Sequence, residues 1–97
     1  HPSLHPDGRH VVTDCYPQEP PSYGDGTTPI RWLDLATGET RDIVRMQTVP
    51  PFPGPNGCRR VDPHPAWDRS WRRIAFNACP DGVRSVFVAD MSGLTDA

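Results

Sequence analysis

The stretch Arg60-Val61-Asp62-Pro63-His64-Pro65-Ala66-Trp67 decides the fold prediction, because its His-Pro pair also opens the chain at His1-Pro2. When the two pairs are aligned, residues 9–14 fall on residues 72–77, and both segments are basic at their start and apolar in the middle. The sequence therefore predicts two copies of one structural unit, in which His1 and His64 hold the same place.

The composition limits what the chain can be. It has 97 residues, of which 35% are hydrophobic, with thirteen prolines and eight glycines, a balance that argues against long helices. A net charge of -2 gives no basic character for nucleic-acid binding, and no apolar run approaches the roughly 18 residues of a membrane span. We therefore expect neither nucleic acid nor a membrane as a partner. Since the first residue is not Met, we expect the true N-terminus to lie upstream.

The three cysteines, Cys15, Cys58 and Cys79, show no CxxC spacing. An odd number does not describe a disulfide framework. Cys15 and Cys79 lie one position apart in the repeat alignment, which allows contact between neighbouring units but does not require a bond. We interpret these residues as small buried apolar side chains.

Alternating patterns and turn signals predict seven short strands. The first unit has four of them and the second has three, with a tight turn predicted at Pro6-Asp7-Gly8-Arg9. The predicted strands are one within residues 1–9, then residues 10–16, 29–35, 40–46, 62–67, 72–79 and 84–91.

Repeated four-stranded antiparallel meanders are typical of β-propeller blades. We predict an all-β chain that is a partial β-propeller, with one blade at residues 1–48, an incomplete second blade at residues 58–97 and a Pro/Gly-rich connecting loop at residues 49–57. Because a propeller needs about 4–8 blades, the remaining blades of a larger parent would complete the ring. A small seven-stranded β-sandwich is the alternative, and the internal repeat argues against it.

The repeated His-Pro pair predicts a metal site. Equivalent residues of different blades converge on the central channel, so His1 and His64 would approach one space. Asp62 lies two residues before His64 and would face the same way on a strand. Imidazole and carboxylate ligands suit Mn, Fe, Zn or Ni. The alternative is a structural role, in which His-Pro packs the start of a blade and Asp62 caps a turn or pairs with Arg60.

The remaining aromatic and imidazole side chains are interpreted more simply. We expect His5 and His10 at the surface, since the second unit has no histidine at their positions. We expect Trp32, Trp67 and Trp71 in the core between blades, although a Trp67 that faced the channel would stack on a sugar ring.

Four motifs together resemble the last blades of the oligogalacturonate lyase-like propellers. They are His-Pro-Ser-x-x-Pro-Asp-Gly-Arg, Val-Asp-Pro-His-Pro-Ala-Trp, Arg-Ile-Ala-Phe and Val-Phe-Val-Ala-Asp-Met, and they span nearly the whole chain. The Pro-Asp-Gly turn is common to many propellers, whereas the His-Pro-Ser and Asp-x-His-Pro pair is more specific.

The resemblance implies a seven-bladed, cytoplasmic enzyme that cleaves unsaturated pectin disaccharides by β-elimination, with manganese held in its channel by histidines and a glutamine. By similarity, His1 and His64 are metal ligands. Asp62 stands where a further histidine is expected, and Arg59 stands near the glutamine position. The base and the arginine of that family lie in earlier blades, so no catalytic residue is assigned in this chain.

The sequence therefore predicts part of a metal-dependent oligogalacturonide lyase with a divalent metal, Mn by resemblance. The metal candidates are His1, Asp62 and His64, and we assign Trp67 and Arg59 to binding of the oligogalacturonide or a related uronate sugar. The alternative function is a non-catalytic propeller of the Tol-system type, a periplasmic binding or assembly module that shares the turn and strand pattern.

Overall fold

The computed structural model describes residues 1–17, 19–48 and 61–95, which form two antiparallel β-sheets. The first sheet has four strands in the order β1-β2-β3-β4, and the second has three in the order β5-β6-β7. The strands are β1 (Ser3–Leu4), β2 (His10–Thr13), β3 (Thr27–Asp34), β4 (Thr40–Gln47), β5 (Ala66–Trp67), β6 (Arg73–Ala78) and β7 (Ser85–Asp90), followed by the short helix α1 (Ser92–Thr95).

This architecture confirms the prediction of an all-β chain with one four-stranded and one three-stranded antiparallel sheet. The two sheets are not closed into a ring, so the propeller arrangement stays a prediction. The loop predicted at residues 49–57 lies outside the described residues. No helix in the described part of the chain is long and apolar enough to cross a membrane.

The internal repeat is visible in the strand register. Ser3 pairs with Val12 in the first sheet, and Ala66 pairs with Ala75 in the second, which is the same pairing moved by 63 residues. The turns agree as well, because the His5 amide donates to the His10 carbonyl at 2.8 Å and the Asp68 amide donates to the Arg73 carbonyl at 2.9 Å. The sequence alignment of the two units therefore corresponds to one repeated backbone structure.

The turn between the first two strands of each unit requires a left-handed residue. Gly8 has a φ of 70°, and Trp71, its counterpart, has a φ of 59°. Glycine adopts this conformation without steric cost, whereas a residue with a Cβ pays for it. The turn geometry is thus retained in the second unit even though the glycine is not.

We expect Gly8→Ala to lower the free energy of unfolding by about 1 kcal/mol, because Ala is strained at positive φ. No heavy atom lies within 4 Å of a Cβ placed there, so the loss would be conformational rather than steric. Gly93→Ala is the matched control, since its added Cβ also meets nothing within 4 Å and its φ lies outside the positive range. Urea unfolding of both variants checks the difference, and equal effects would contradict it.

The strand predicted at residues 62–67 is wrong in its first four positions, since β5 contains only Ala66–Trp67. Pro63 and Pro65 have no amide hydrogen to donate to a sheet, and His64 between them has a φ of 46°. The strand argument that placed Asp62 and His64 on one face therefore does not apply. Their positions depend on tertiary contacts instead.

The two sheets pack against each other over one shared apolar core. Its buried members come from both units, and they are Val12, Ile30, Trp32, Met46, Ile74, Phe76, Ala78 and Met91. Main-chain hydrogen bonds also join the units, from the Val61 amide to the Thr48 carbonyl at 3.2 Å and from the Cys79 amide to the Gln47 carbonyl at 2.9 Å. The units are thus connected by packing and by backbone pairing.

Cys15 and Cys79 are buried and free, as the sequence predicts, while Cys58 lies outside the described residues. Burial raises the pKa of both thiols. The prediction that the three tryptophans lie in the core is confirmed for Trp32, which is buried. Trp67 is half-buried, and Trp71 is exposed, so the prediction is wrong for Trp71.

Candidate functional site

The two histidines of the repeated His-Pro pairs lie side by side. The rings of His1 and His64 are stacked, with centroids 4.0 Å apart and planes 13° from parallel. Each histidine lies just before the first strand of its unit, and the packing of the two sheets brings these strand starts together. The structure therefore places the two imidazoles close to one another.

Asp14 holds both histidines. Its buried carboxylate follows β2 and accepts three hydrogen bonds, from the His1 main-chain nitrogen at 2.8 Å, from His1 Nδ1 at 2.9 Å and from the His64 amide at 2.8 Å. A carboxylate can accept several such bonds at once, and an unpaired one would be costly to bury. Asp14 is thus the group that fixes the positions of both His-Pro segments.

Sequence reasoning missed Asp14. The available signal was its place in the repeat, because it lies at the end of the second strand and aligns with Asn77, another polar residue. From the sequence of the first unit alone, Asp14 cannot be distinguished from an ordinary carboxylate in a turn. Its role depends on contact with His64, 50 residues away in sequence.

The bond between His1 and Asp14 determines which ring nitrogen remains for a ligand. A carboxylate only accepts, so Nδ1 of His1 donates, and in the neutral form of the ring Nε2 has the lone pair. Carboxylate-histidine pairs of this kind commonly orient metal ligands in proteins. The His1 and His64 rings are nearly parallel, so their in-plane nitrogen lone pairs cannot both point at one ion in this stacked arrangement. Within residues 1–17, 19–48 and 61–95, no group of three or more His, Cys, Asp or Glu side chains is placed to hold a metal.

A pocket of about 360 Å³ adjoins this pair on the side of the second unit. Its lining comes from the segment before β5, from β6 and from the start of β7 with the residue before it. The lining residues are Val61, Asp62, His64, Asn77, Arg84, Ser85 and Val86. The lining therefore combines a guanidinium, an amide, a hydroxyl and an imidazole group with one carboxylate, that of Asp62. Such a lining suits a small polar ligand that carries an anionic group.

The segment that carries Asp62 and His64 is fixed against β6 by Asn77. The Asn77 amide donates to the Pro63 carbonyl at 2.9 Å, and Asn77 Nδ2 donates to the Asp62 carbonyl at 3.2 Å. His64 therefore both lines the pocket and stacks on His1. Asn77, Arg84 and Ser85 were not predicted as site residues, because their shared position depends on how β6 and β7 pair.

The structure places Trp67, one of the two predicted sugar-binding residues, away from this pocket. Trp67 packs edge-on to Trp32 with ring centroids 6.0 Å apart, and its Nε1 donates to the Ser3 carbonyl at 3.3 Å. It belongs to the margin of the core and is not among the residues that line the pocket. Arg59 lies outside the described residues.

His5 and His10 are partly buried rather than fully exposed, and both contact Asp7. His10 Nδ1 lies 2.6 Å from Asp7 Oδ2, and His5 Nδ1 lies 3.3 Å from the same oxygen. Partial burial raises the pKa of Asp7, but hydrogen bonds from His10 and Arg9 outweigh it and hold that pKa well below its usual range. These two histidines form a separate group around the first turn.

A second strong ion pair supports the same turn. Arg9 donates to both carboxylate oxygens of Asp34, at 2.8 and 2.6 Å. The Arg9 guanidinium holds the pKa of Asp34 well below its usual range. Both side chains are at the surface of the first sheet, and we interpret the pair as structural.

Comparisons of the chain with protein-family models, with curated proteins and with solved structures found no match. The resemblance to oligogalacturonate lyase-like propellers therefore stays a prediction that depends on the quoted motifs. The geometry of the histidine pair and the pocket is the basis for the function proposed below.

Proposed function

We propose that this chain is part of a metal-dependent lyase-like propeller that acts on acidic oligosaccharides such as oligogalacturonides. The observation that carries the proposal is the pair of stacked imidazoles, His1 and His64, held by the buried Asp14 beside a polar pocket. Imidazole ligands suit Fe, Zn or Ni, and carboxylate ligands beside them would suit Mn. The other ligands would come from the remaining blades of the parent protein.

The residues of this chain would bind and orient the sugar. His1 would present Nε2 to the metal, with its proton kept on Nδ1 by Asp14, and His64 would join it once its ring turns out of the stack. Arg84 and Asn77 line the pocket next to His64, where a uronate carboxylate and its neighbouring hydroxyl groups would find complementary donors. A divalent metal, when bound, would act as a Lewis acid on the uronate carboxylate and acidify the proton alpha to it. The base that removes this proton would lie in another blade.

The other predicted site residues have different places in this proposal. Asp62 lines the pocket together with His64, so it remains a candidate ligand or a partner for a sugar hydroxyl. Trp67 would support the site from the core rather than by stacking on the sugar. Arg59 stays a candidate contact for the uronate carboxylate.

Titration of the parent protein with Mn²⁺ tests the site, because this paramagnetic ion broadens the NMR signals of nearby protons. We expect the ring signals of His1 and His64 to broaden at low Mn²⁺, while those of His5 and His10 do not. The four histidines serve as their own controls. His64→Ala should abolish the broadening at His1, whereas His10→Ala should leave it unchanged. Equal broadening of all four rings, or no broadening, would refute the metal site.

The alternative function, a non-catalytic binding or assembly module, is favoured by one feature. The outer side of the second sheet exposes several apolar side chains, as proteins that assemble often do. Under this alternative, the parent protein would contain no stoichiometric metal and would not cleave unsaturated digalacturonate. Elemental analysis and an assay of the parent protein with Mn²⁺ therefore separate the two functions.

A further inference from the structure

The turn between β5 and β6, residues 68–72, presents an exposed indole. Trp71 is 40% exposed, and residues 69, 70 and 72 are exposed as well. The φ of Trp71 is 59°, a left-handed conformation that costs stability in a residue with a Cβ. The first unit makes the same turn with Gly8, for which this conformation has no steric cost. Backbone strain of this kind clusters at sites that bind a ligand, so the Trp71 indole is a candidate contact for one.

Ring contacts hold the Trp71 indole in place. The His5 ring of the first unit packs edge-on to it, with centroids 6.1 Å apart, and the Trp67 ring lies at 48° to it, with centroids 6.4 Å apart. The turn itself is held by Asp68, whose carbonyl accepts the Trp71 amide at 3.1 Å and whose carboxylate accepts the Ser70 hydroxyl at 2.7 Å. An exposed side chain that is already fixed loses little conformational freedom when a ligand stacks on it.

The next residue, Arg72, lacks the partner that its counterpart in the first unit has. That counterpart is Arg9, which donates to both carboxylate oxygens of Asp34. Asp90 takes the Asp34 position in the strand pairing of the second unit. Its Oδ1 accepts the amide and the hydroxyl of Ser92 instead. Within the described residues, no hydrogen bond or ion pair therefore holds the Arg72 guanidinium.

A second guanidinium, that of Arg69, lies in the same turn and likewise has no such partner in the part of the chain that the structure describes. Arg binds carboxylates through two parallel hydrogen bonds, and an indole offers an apolar face on which a sugar ring can stack. A polymer of uronate sugars presents an apolar ring face and a carboxylate in every sugar. A nucleic acid fits less well, because the chain has a net charge of -2 and lacks the basic surface that a phosphate backbone requires.

We propose that the β5–β6 turn binds an acidic polysaccharide made of uronate sugars. Trp71 would stack on one sugar ring, and Arg69 and Arg72 would bind carboxylates of that sugar and its neighbours. The choice of ligand rests on the proposed function, which names the same class of sugar, but the contact needs no metal. None of residues 68–72 lines the pocket beside His64, so this is a separate site. A second contact with the same polymer would raise the effective concentration of the substrate at the pocket.

Calorimetric titration of the parent protein with polygalacturonate tests the stacking contact. EDTA is present throughout, so that no metal-dependent cleavage occurs. We expect Trp71→Ala to raise the dissociation constant at least about tenfold, and Trp71→Tyr, which keeps an aromatic ring, to raise it only about threefold. Trp71→Gly restores the residue of the first unit, so it should unfold no more readily than Trp71→Ala and bind as weakly. An unchanged affinity of Trp71→Ala would overturn the proposal.

Two arginines at one repeat position test the ionic contact. Arg72→Gln should raise the dissociation constant about tenfold, because it removes a guanidinium that is available to a carboxylate. Arg9→Gln is the matched control, since it removes the same charge from a side chain that Asp34 already occupies. We expect it to change the dissociation constant by less than about twofold. Equal effects of the two variants would mean that only net charge matters, which contradicts the proposal.

Other ligands separate this inference from its alternatives and from the proposed function. Methyl-esterified polygalacturonate should respond to Trp71→Ala but not to Arg72→Gln, whereas equally tight binding of a single-stranded oligonucleotide would overturn the proposal. Cleavage of unsaturated digalacturonate with Mn²⁺ is measured separately. Polygalacturonate binding that depends on Trp71 without any cleavage would contradict the proposed function and support this inference. Cleavage together with binding that Trp71→Ala leaves unchanged would contradict this inference alone.

Discussion

Asp14→Asn is expected to lower the free energy of unfolding by about 1–3 kcal/mol and to weaken the response of His1 to Mn²⁺. Oδ2 of Asp14 accepts both His1 Nδ1 and the His64 amide, whereas Oδ1 accepts the His1 main-chain nitrogen. The amide oxygen of Asn can replace only one of these two acceptors, so the amide nitrogen, which is a donor, faces another donor of His1 or His64. An unsatisfied buried donor costs about 1–3 kcal/mol, and His1 is then held less firmly.

Urea unfolding measures the first effect and Mn²⁺ line broadening measures the second. Glu39→Gln is the matched control, since Glu39 is an exposed carboxylate whose side chain contacts neither histidine. A loss of stability with an unchanged Mn²⁺ response at His1 would show that Asp14 is only a structural anchor. No loss of either property would contradict the role given to Asp14.

Trp32→Ala is expected to have the largest effect on stability of any single change considered. Trp32 is 7% exposed, stacks on His10 with centroids 4.8 Å apart and packs edge-on against Trp67 of the other sheet. Loss of a buried Trp typically costs about 3–5 kcal/mol. The total stability of a small domain is only about 5–15 kcal/mol. We therefore expect the melting temperature of this variant to be far lower than that of the unmodified chain.

Trp71→Ala is the matched control for that change. It removes the same side chain from a position that is 40% exposed and keeps a residue with a Cβ at positive φ. We expect it to cost less than half as much as Trp32→Ala in urea unfolding. Similar losses for both variants would mean that the packing of the two sheets contributes little to stability.

The sequence predicted most of the strands and the proximity of the two His-Pro histidines. The His-Pro repeat and the alternation of apolar residues predicted the seven strands, because both signals are visible in the sequence without knowledge of tertiary contacts. The short β5 was overestimated, since Pro63 and Pro65 prevent ladder hydrogen bonds ahead of Ala66. The proximity of His1 and His64 was expected from their equivalent places, and the stacked rings agree with it.

The remainder of the site depends on contacts that a local pattern does not contain. Asp14 and His64 are far apart in sequence, and only the packing of two sheets brings them within 2.8 Å. Arg84 joins the pocket because the β6–β7 turn returns the chain beside Asn77. Tryptophan commonly stacks on sugar rings, but the indole nitrogen of Trp67 donates a hydrogen bond to the Ser3 carbonyl at the margin of the core.

The two connections between the second and third strands differ in length without any change in strand register. In the first unit the connection runs from residue 14 to residue 26, and in the second it runs from residue 79 to residue 84. Each additional residue in a surface loop costs little entropy once the loop is formed. This corner of the unit is therefore where insertions can accumulate during evolution, so a family built from this repeat could acquire new recognition loops there while its sheets stay unaltered.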